Sequence, residues 1–218
     1  MNKWKKLVLC ALSCMMLGAC GTEKETDNTR SGDVLLVIDM QNAYTEDGPW
    51  TCVNMDETAE KIKTLIDSGD FAEIIFTTFS APEKPEGAWV TYNELNQEVN
   101  EDAEMNRVIP LLEPYTKEYP VAVKSTYSSL ENAQVRRAAE ACMKRGDSLV
   151  LSGVVSECCV LATAFDAIDL GSHVIYLTDA CAGVSEDVEN NVAEILKELD
   201  YAQTAIMSTE EYLKTHGG

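Results

Sequence analysis

Residues 148–171 read SLVLSGVVSECCVLATAFDAIDLG. The stretch SLVLSG (148–153) has the apolar, β-branched character of a buried strand. From residue 157 the pattern turns helical, and Gly171 stops it. Working outward, the same alternation recurs on both sides. DVLLVID (33–39), EIIFTTF (73–79), PVAVK (120–124), HVIYLT (173–178) and QTAIM (203–207) read as further strands. In MDETAEKIKTLIDS (55–68), Ala59, Ile62, Leu65 and Ile66 share one helical face. Residues 130–145 and 186–199 also read as helices, with a short one near 209–214. Strands that are apolar throughout, alternating with helices, imply a parallel sheet covered on both faces. The fold class expected is therefore α/β. No internal repeat is visible.

Residues 80–119 interrupt the alternation. They contain Pro82, Pro85, Pro110 and Pro114 together with Trp89, Tyr92 and Tyr115. A long excursion in a compact domain often forms a lid or a pocket wall, and that is the expectation here.

The N-terminus reads as an address. Lys3, Lys5 and Lys6 precede a short apolar run, Leu7–Met16, and small residues lead to Cys20 in Leu17-Gly18-Ala19-Cys20. This is the layout of a secretory signal, and the run is too short for a mature membrane helix. Leu-Gly-Ala-Cys resembles the bacterial lipobox, which implies cleavage before Cys20 and lipidation of its thiol. An ordinary signal peptide with an incidental cysteine is the alternative. Residues 21–32 carry no aliphatic or aromatic side chain and suit a flexible tether. The organisation expected is a signal at 1–19, a lipid-anchored tether at 20–32 and one domain at 33–218, held outside the cytoplasm on the cell envelope.

The formal charge of −20 opposes binding to nucleic acid or to anionic headgroups. Membrane attachment is therefore expected through the lipid on Cys20 alone. Of the eight cysteines, Cys52, Cys142, Cys158, Cys159 and Cys181 remain after the signal and the lipidated position. An odd, irregularly spaced set is not a disulfide framework. It leaves at least one free thiol, unless chains pair as a homo-oligomer. Buried apolar thiols are the expectation for Cys52, Cys142 and Cys181.

In open parallel sheets, ligands bind beyond the carboxyl ends of the strands. Asp39 closes the first strand, Lys124 closes the third, and Cys159 follows the fourth in the first turn of a helix. A helix start and a nearby ammonium favour a thiolate, and the N–H groups of that turn can bind an oxyanion. A carboxylate can take the thiol proton and return it to an amine leaving group. The only histidines are His173 and His216, at a strand start and in the tail. A Cys-His protease arrangement is not supported.

LLVIDMQNAY, VAVKSTYSSL, GVVSECCVLATAFDA and VIYLTDACAG together resemble the successive motifs of the isochorismatase-like cysteine hydrolases, which include nicotinamidases. The resemblance runs from about residue 33 to 214. It implies a three-layer α/β/α sandwich with a six-stranded parallel sheet. It also implies a triad in which Asp39 is general base and acid, Lys124 assists thiolate formation and Cys159 attacks a carbonyl carbon. A cis peptide between Val154 and Val155 is implied too, with the backbone N–H groups of Val155 and Cys159 as oxyanion donors. Counting from Gly153 puts the nucleophile at Cys159 and leaves Cys158 as a pocket wall; a redox pairing of the two is the alternative. Tyr44 and Tyr127 fall at aromatic pocket positions, although core packing explains either equally well.

One departure narrows the function. Nicotinamidases carry Asp and His metal ligands after the second strand, where this chain has TTFSAPEKPEGAW without histidine. Carboxylates alone imitate such a site poorly, so neither metal nor cofactor is expected. The retained Cys159 points to hydrolysis of a small-molecule amide or related C–N bond. Two rivals stand beside it. The first is a lipoprotein on the same fold that binds a small ligand without turnover, which would not need the complete Asp39, Lys124 and Cys159 set. The second is a thiol redox protein, which the absence of Cys-x-x-Cys opposes.

Overall fold

The structure is a computed structural model that describes residues 32–216. The signal, the lipidation at Cys20 and nearly all of the tether lie outside the described residues. Six strands form one parallel sheet: β1 (Val34–Ile38), β2 (Glu73–Phe79), β3 (Val121–Lys124), β4 (Ser148–Gly153), β5 (His173–Cys181) and β6 (Thr204–Met207). Their spatial order is β3-β2-β1-β4-β5-β6, with every neighbouring pair parallel.

The helices are α1 (Met55–Ser68), α2 (Ala88–Leu95), α3 (Gln97–Glu101), α4 (Ala133–Arg145), α5 (Leu161–Leu170), α6 (Glu186–Lys197) and α7 (Thr209–His216). Strand β1 shows why three layers form. Leu35 and Val37 point into one core with Ile62, Leu65 and Tyr212 from α1 and α7. Val34, Leu36 and Ile38 point into the other, with residues of α4, α5 and α6. Side chains alternate across a strand, so a run that is apolar at every position needs cover on both faces.

The order reverses between β1 and β4, since each then continues outward in the opposite direction. A crevice opens at such a switch point, beyond the carboxyl ends of the strands. Gly153 allows the two strands to close there. Its φ is +103°, and a Cβ would stand 2.0 Å from the carbonyl oxygen of Ile38, so any side chain would force β4 off β1.

Residues 80–119 are not structureless. They hold α2, α3 and a 3-10 turn at Glu113–Lys117. Gln41 ties this excursion to the sheet. Its side-chain amide donates to the Phe79 and Asn106 carbonyls, and its carbonyl accepts the Phe79 N–H at 2.8 Å.

Candidate active site

The polar end of β1 is built under constraint. Asp39 has φ +50°, a left-handed conformation that costs a non-glycine residue about 1–3 kcal/mol and persists only where its surroundings hold it. The Asp39 N–H donates to the Thr77 carbonyl at 3.1 Å, and the Thr77 hydroxyl donates to Asp39 Oδ1 at 2.7 Å. Asp39 Oδ2 is thereby aimed at Lys124, whose Nζ stands 2.7 Å away with both side chains fully buried. Oδ2 takes no well-aligned hydrogen bond. The contact is an ion pair, and a lone pair stays available to a proton.

Lys124 ends the edge strand β3, where Phe79 is its register partner and its ammonium lies 5.6 Å from the Phe79 ring centroid. Nζ also donates to the Thr126 carbonyl at 3.0 Å and to Cys159 Sγ at 3.3 Å. Cys159 is 3% exposed and lies within hydrogen-bonding reach of the Asp39 carboxylate. Asp39, Lys124 and Cys159 thus meet in one buried cluster, although 35 residues separate the last two in sequence.

The turn carrying Cys159 differs from the expected start of a helix at 157. Ser156–Val160 form a π-helical turn, and regular α-helix begins at Leu161. The Val155 carbonyl accepts both the Cys158 N–H and the Val160 N–H, while Thr163 Oγ1 donates to the Cys159 carbonyl at 2.7 Å. The wide turn holds Cys159 over the end of β1. The Val154–Val155 peptide is cis.

The electrostatics of the cluster oppose one another. Burial, and then the Asp39 carboxylate, push the Cys159 thiol far above its ordinary value, while Lys124 pulls the other way and loses. Burial also works against the Lys124 ammonium, but Asp39 and Cys159 outweigh it and hold its pKa above the usual lysine range. The Cys159 thiol is thus held toward its protonated form, and the Lys124 ammonium toward its charged form. A position in the first turn of a helix does not offset the loss of water around Sγ.

Above Cys159 lies a cleft of about 530 Å³. Tyr44, Tyr127, Cys158 and Val155 all line it, as do Trp50, Tyr92, Val184 and Glu157. Tyr44 is both wall and core, being 5% exposed and packed in the first core cluster; Tyr127 is exposed. The excursion supplies a wall through Tyr92, backed by Trp89, whose ring lies 5.1 Å from Tyr92 and 5.3 Å from Tyr127. Trp50 is fixed from the same side by its indole N–H to Asn96 Oδ1 at 2.9 Å. Tyr115 lies elsewhere, bonded to Asp67. All five cysteines of the described domain are free, and Cys52, Cys142 and Cys181 are buried.

Thr77, Trp50 and Glu157 escaped the reading of the sequence. A threonine inside EIIFTTF looks like any strand residue, and only the β1–β2 register sets its hydroxyl beside Asp39. Among the described residues, no three His, Cys, Asp or Glu side chains are grouped to hold a metal ion. His173 sits at the opposite end of the sheet, bonded to the Ser148 hydroxyl. The donor set does not fit the metal site of nicotinamidases.

A parallel sheet of this order, with a carboxylate, an ammonium and a thiol meeting at its switch point, defines an α/β enzyme with a buried cysteine at its centre. The family model described as Isochorismatase domain matches residues 33–211. The chain belongs to the isochorismatase family of hydrolases. Among solved structures, a cysteine hydrolase from Pseudomonas syringae pv. phaseolicola 1448A is similar at 20% identity, with TM-score 0.68, covering 84% of this chain and 91% of that one. An isochorismatase family protein from Desulfovibrio vulgaris is 19% identical with TM-score 0.67, covering 85% and 97%. A nicotinamidase from Bacillus subtilis is 20% identical with TM-score 0.63, covering 80% and 99%. At these identities the likeness is one of fold. No curated protein matches the sequence.

Proposed function

We propose that the chain hydrolyses the amide or a related C–N bond of a small molecule through a thioester on Cys159, with Asp39 and Lys124 completing the triad. Asp39 Oδ2 accepts the thiol proton as Sγ attacks the carbonyl carbon. The N–H groups of Val155 and Cys159 receive the oxyanion. Asp39 then passes its proton to the departing nitrogen, and the C–N bond breaks to leave the thioester. A water molecule gives a proton to Asp39 as it attacks the thioester. Sγ departs, is reprotonated, and the carboxylic acid is released. Lys124 offsets negative charge on Sγ and on Asp39 throughout. Tyr44, Tyr127 and Cys158 shape the substrate pocket.

The observation that carries this reading is the buried contact of Lys124 with Asp39 at 2.7 Å and with Cys159 at 3.3 Å, directly beneath an open cleft. A binding protein gains nothing from placing an unpaired thiol against a desolvated ion pair. Release of ammonia from a panel of small primary amides tests it. Turnover is expected on some members and is expected to vanish in Cys159→Ala; release that survives in that variant would sink the reading. The N-terminal motif supports a mature chain starting at Cys20, lipid-anchored outside the cytoplasm, with residues 20–32 as tether to the domain at 33–218.

A further inference from the structure

Among the described residues, Glu157 is the one formally charged side chain lining the cleft, and the mechanism above does not use it. Its Oε1 accepts the Val184 N–H at a long 3.3 Å, and its Oε2 is buried with no hydrogen-bond partner among the described residues. The carboxylate fits there because residue 183 is glycine: a Cβ at Gly183 would stand 2.5 Å from Oε2. A second carboxylate lies behind it. Glu189 Oε1 takes the Gly183 N–H at 2.8 Å; burial raises its pKa, that N–H opposes the rise, and the charges of Glu186 and Glu157 add to it.

Among the described residues, nothing of opposite sign compensates in the wall. Lys124 lies beneath the floor and is tied to Asp39. The rest of the wall is largely Tyr44, Trp50, Tyr92 and Tyr127. Burial pushes Tyr92 up to about 12 and raises Tyr44 and Tyr127 as well, so these phenols stay uncharged near neutrality. The Tyr44 side chain is more than nine-tenths buried and lines the cleft.

Aromatic faces attract cations. A cleft lined by one sign of charge gathers ligands of the other sign and turns away its own. A half-buried carboxylate with one covered oxygen left unpartnered costs stability until a counter-charge arrives. We infer that the cleft selects amides bearing a positively charged group and rejects those bearing a carboxylate, with Glu157 as the specificity-determining residue. The covered Oε2 acts through its field, while the aromatic walls make the contact.

The amide part of this inference rests on the hydrolase reading; the charge preference does not. The test separates them by using three benzamides of matched shape, para-substituted with aminomethyl, methyl or carboxylate. Their binding to the Cys159→Ala chain, measured by calorimetry, decides the charge preference. The aminomethyl compound is expected to bind on the order of tenfold tighter than the methyl compound, and the carboxylate weakest. Glu157→Gln in the same background is expected to remove most of the cation's advantage over the methyl compound. Added salt is expected to shrink the advantage without any substitution, which guards against a variant that folds poorly. Equal binding of cation and carboxylate, or an advantage indifferent to both Glu157→Gln and salt, would overturn the inference. Cation-selective binding with no acylation of Cys159 in the unsubstituted chain would uphold it and count against the hydrolase reading alone.

Discussion

Asp39→Asn is expected to slow turnover by roughly 10²–10⁴-fold, the usual range for a lost acid–base group, while making Cys159 more reactive toward iodoacetamide. The two effects have one origin. In the native site, burial and the Asp39 carboxylate hold the thiol protonated, and Lys124 only partly offsets them. Removing the negative charge makes the thiolate less unfavourable, so the thiol pKa falls. Lys124, released from its ion pair, then pulls harder in the same direction. Burial remains, so the value does not drop fully to that of a free thiol. Alkylation of Cys159 against pH reads this directly. The rise in rate is expected above the ordinary thiol range in the native chain and at lower pH in Asp39→Asn. A thiol that responds to neither charge would show that the ion pair does not govern it.

Lys124→Met is expected to cost about 3–5 kcal/mol of folding stability, because it leaves the Asp39 carboxylate buried without its counter-charge. That is a large share of the 5–15 kcal/mol typical of a domain. Turnover is expected to fall as well, since the one group favouring the thiolate is gone. The double variant Asp39→Asn with Lys124→Met is expected to regain much of the stability and none of the activity, since the pair serves chemistry rather than folding. Urea denaturation of the three variants checks it. A single-variant loss below about 1 kcal/mol would mean the pair is hydrated and not desolvated as its geometry indicates.

The strands were readable because β1, β2, β4 and β5 must be apolar on both faces, and Val34–Ile38 is so at every position. Which strands lie side by side was not. The neighbours of β1 are β2 and β4, and no local pattern expresses a pairing that spans more than a hundred residues. Asp39, Lys124 and Cys159 stood out as reactive groups at strand ends, and the resemblance joined them; their meeting in space follows from the sheet order. Three things stayed hidden. Thr77 holds Asp39 only through the register of β1 against β2. The raised thiol pKa depends on burial of Sγ and then on the Asp39 carboxylate, and a helix start and a lysine near a cysteine point the other way when burial is left out. The π-helical turn at Ser156–Val160 hid Glu157 as well, because a regular helix from 157 would direct that side chain elsewhere.

The most direct test is rapid-quench mass spectrometry of the chain mixed with an amide that it turns over. A peptide containing residues 158 and 159 is expected to carry the acyl group of the substrate, with fragmentation placing the added mass on Cys159. The adduct is expected to be absent from Cys159→Ala and to persist in Cys158→Ala. Acylation at Cys158, or full turnover with no acyl group on either thiol, would contradict the assignment of Cys159 as the nucleophile.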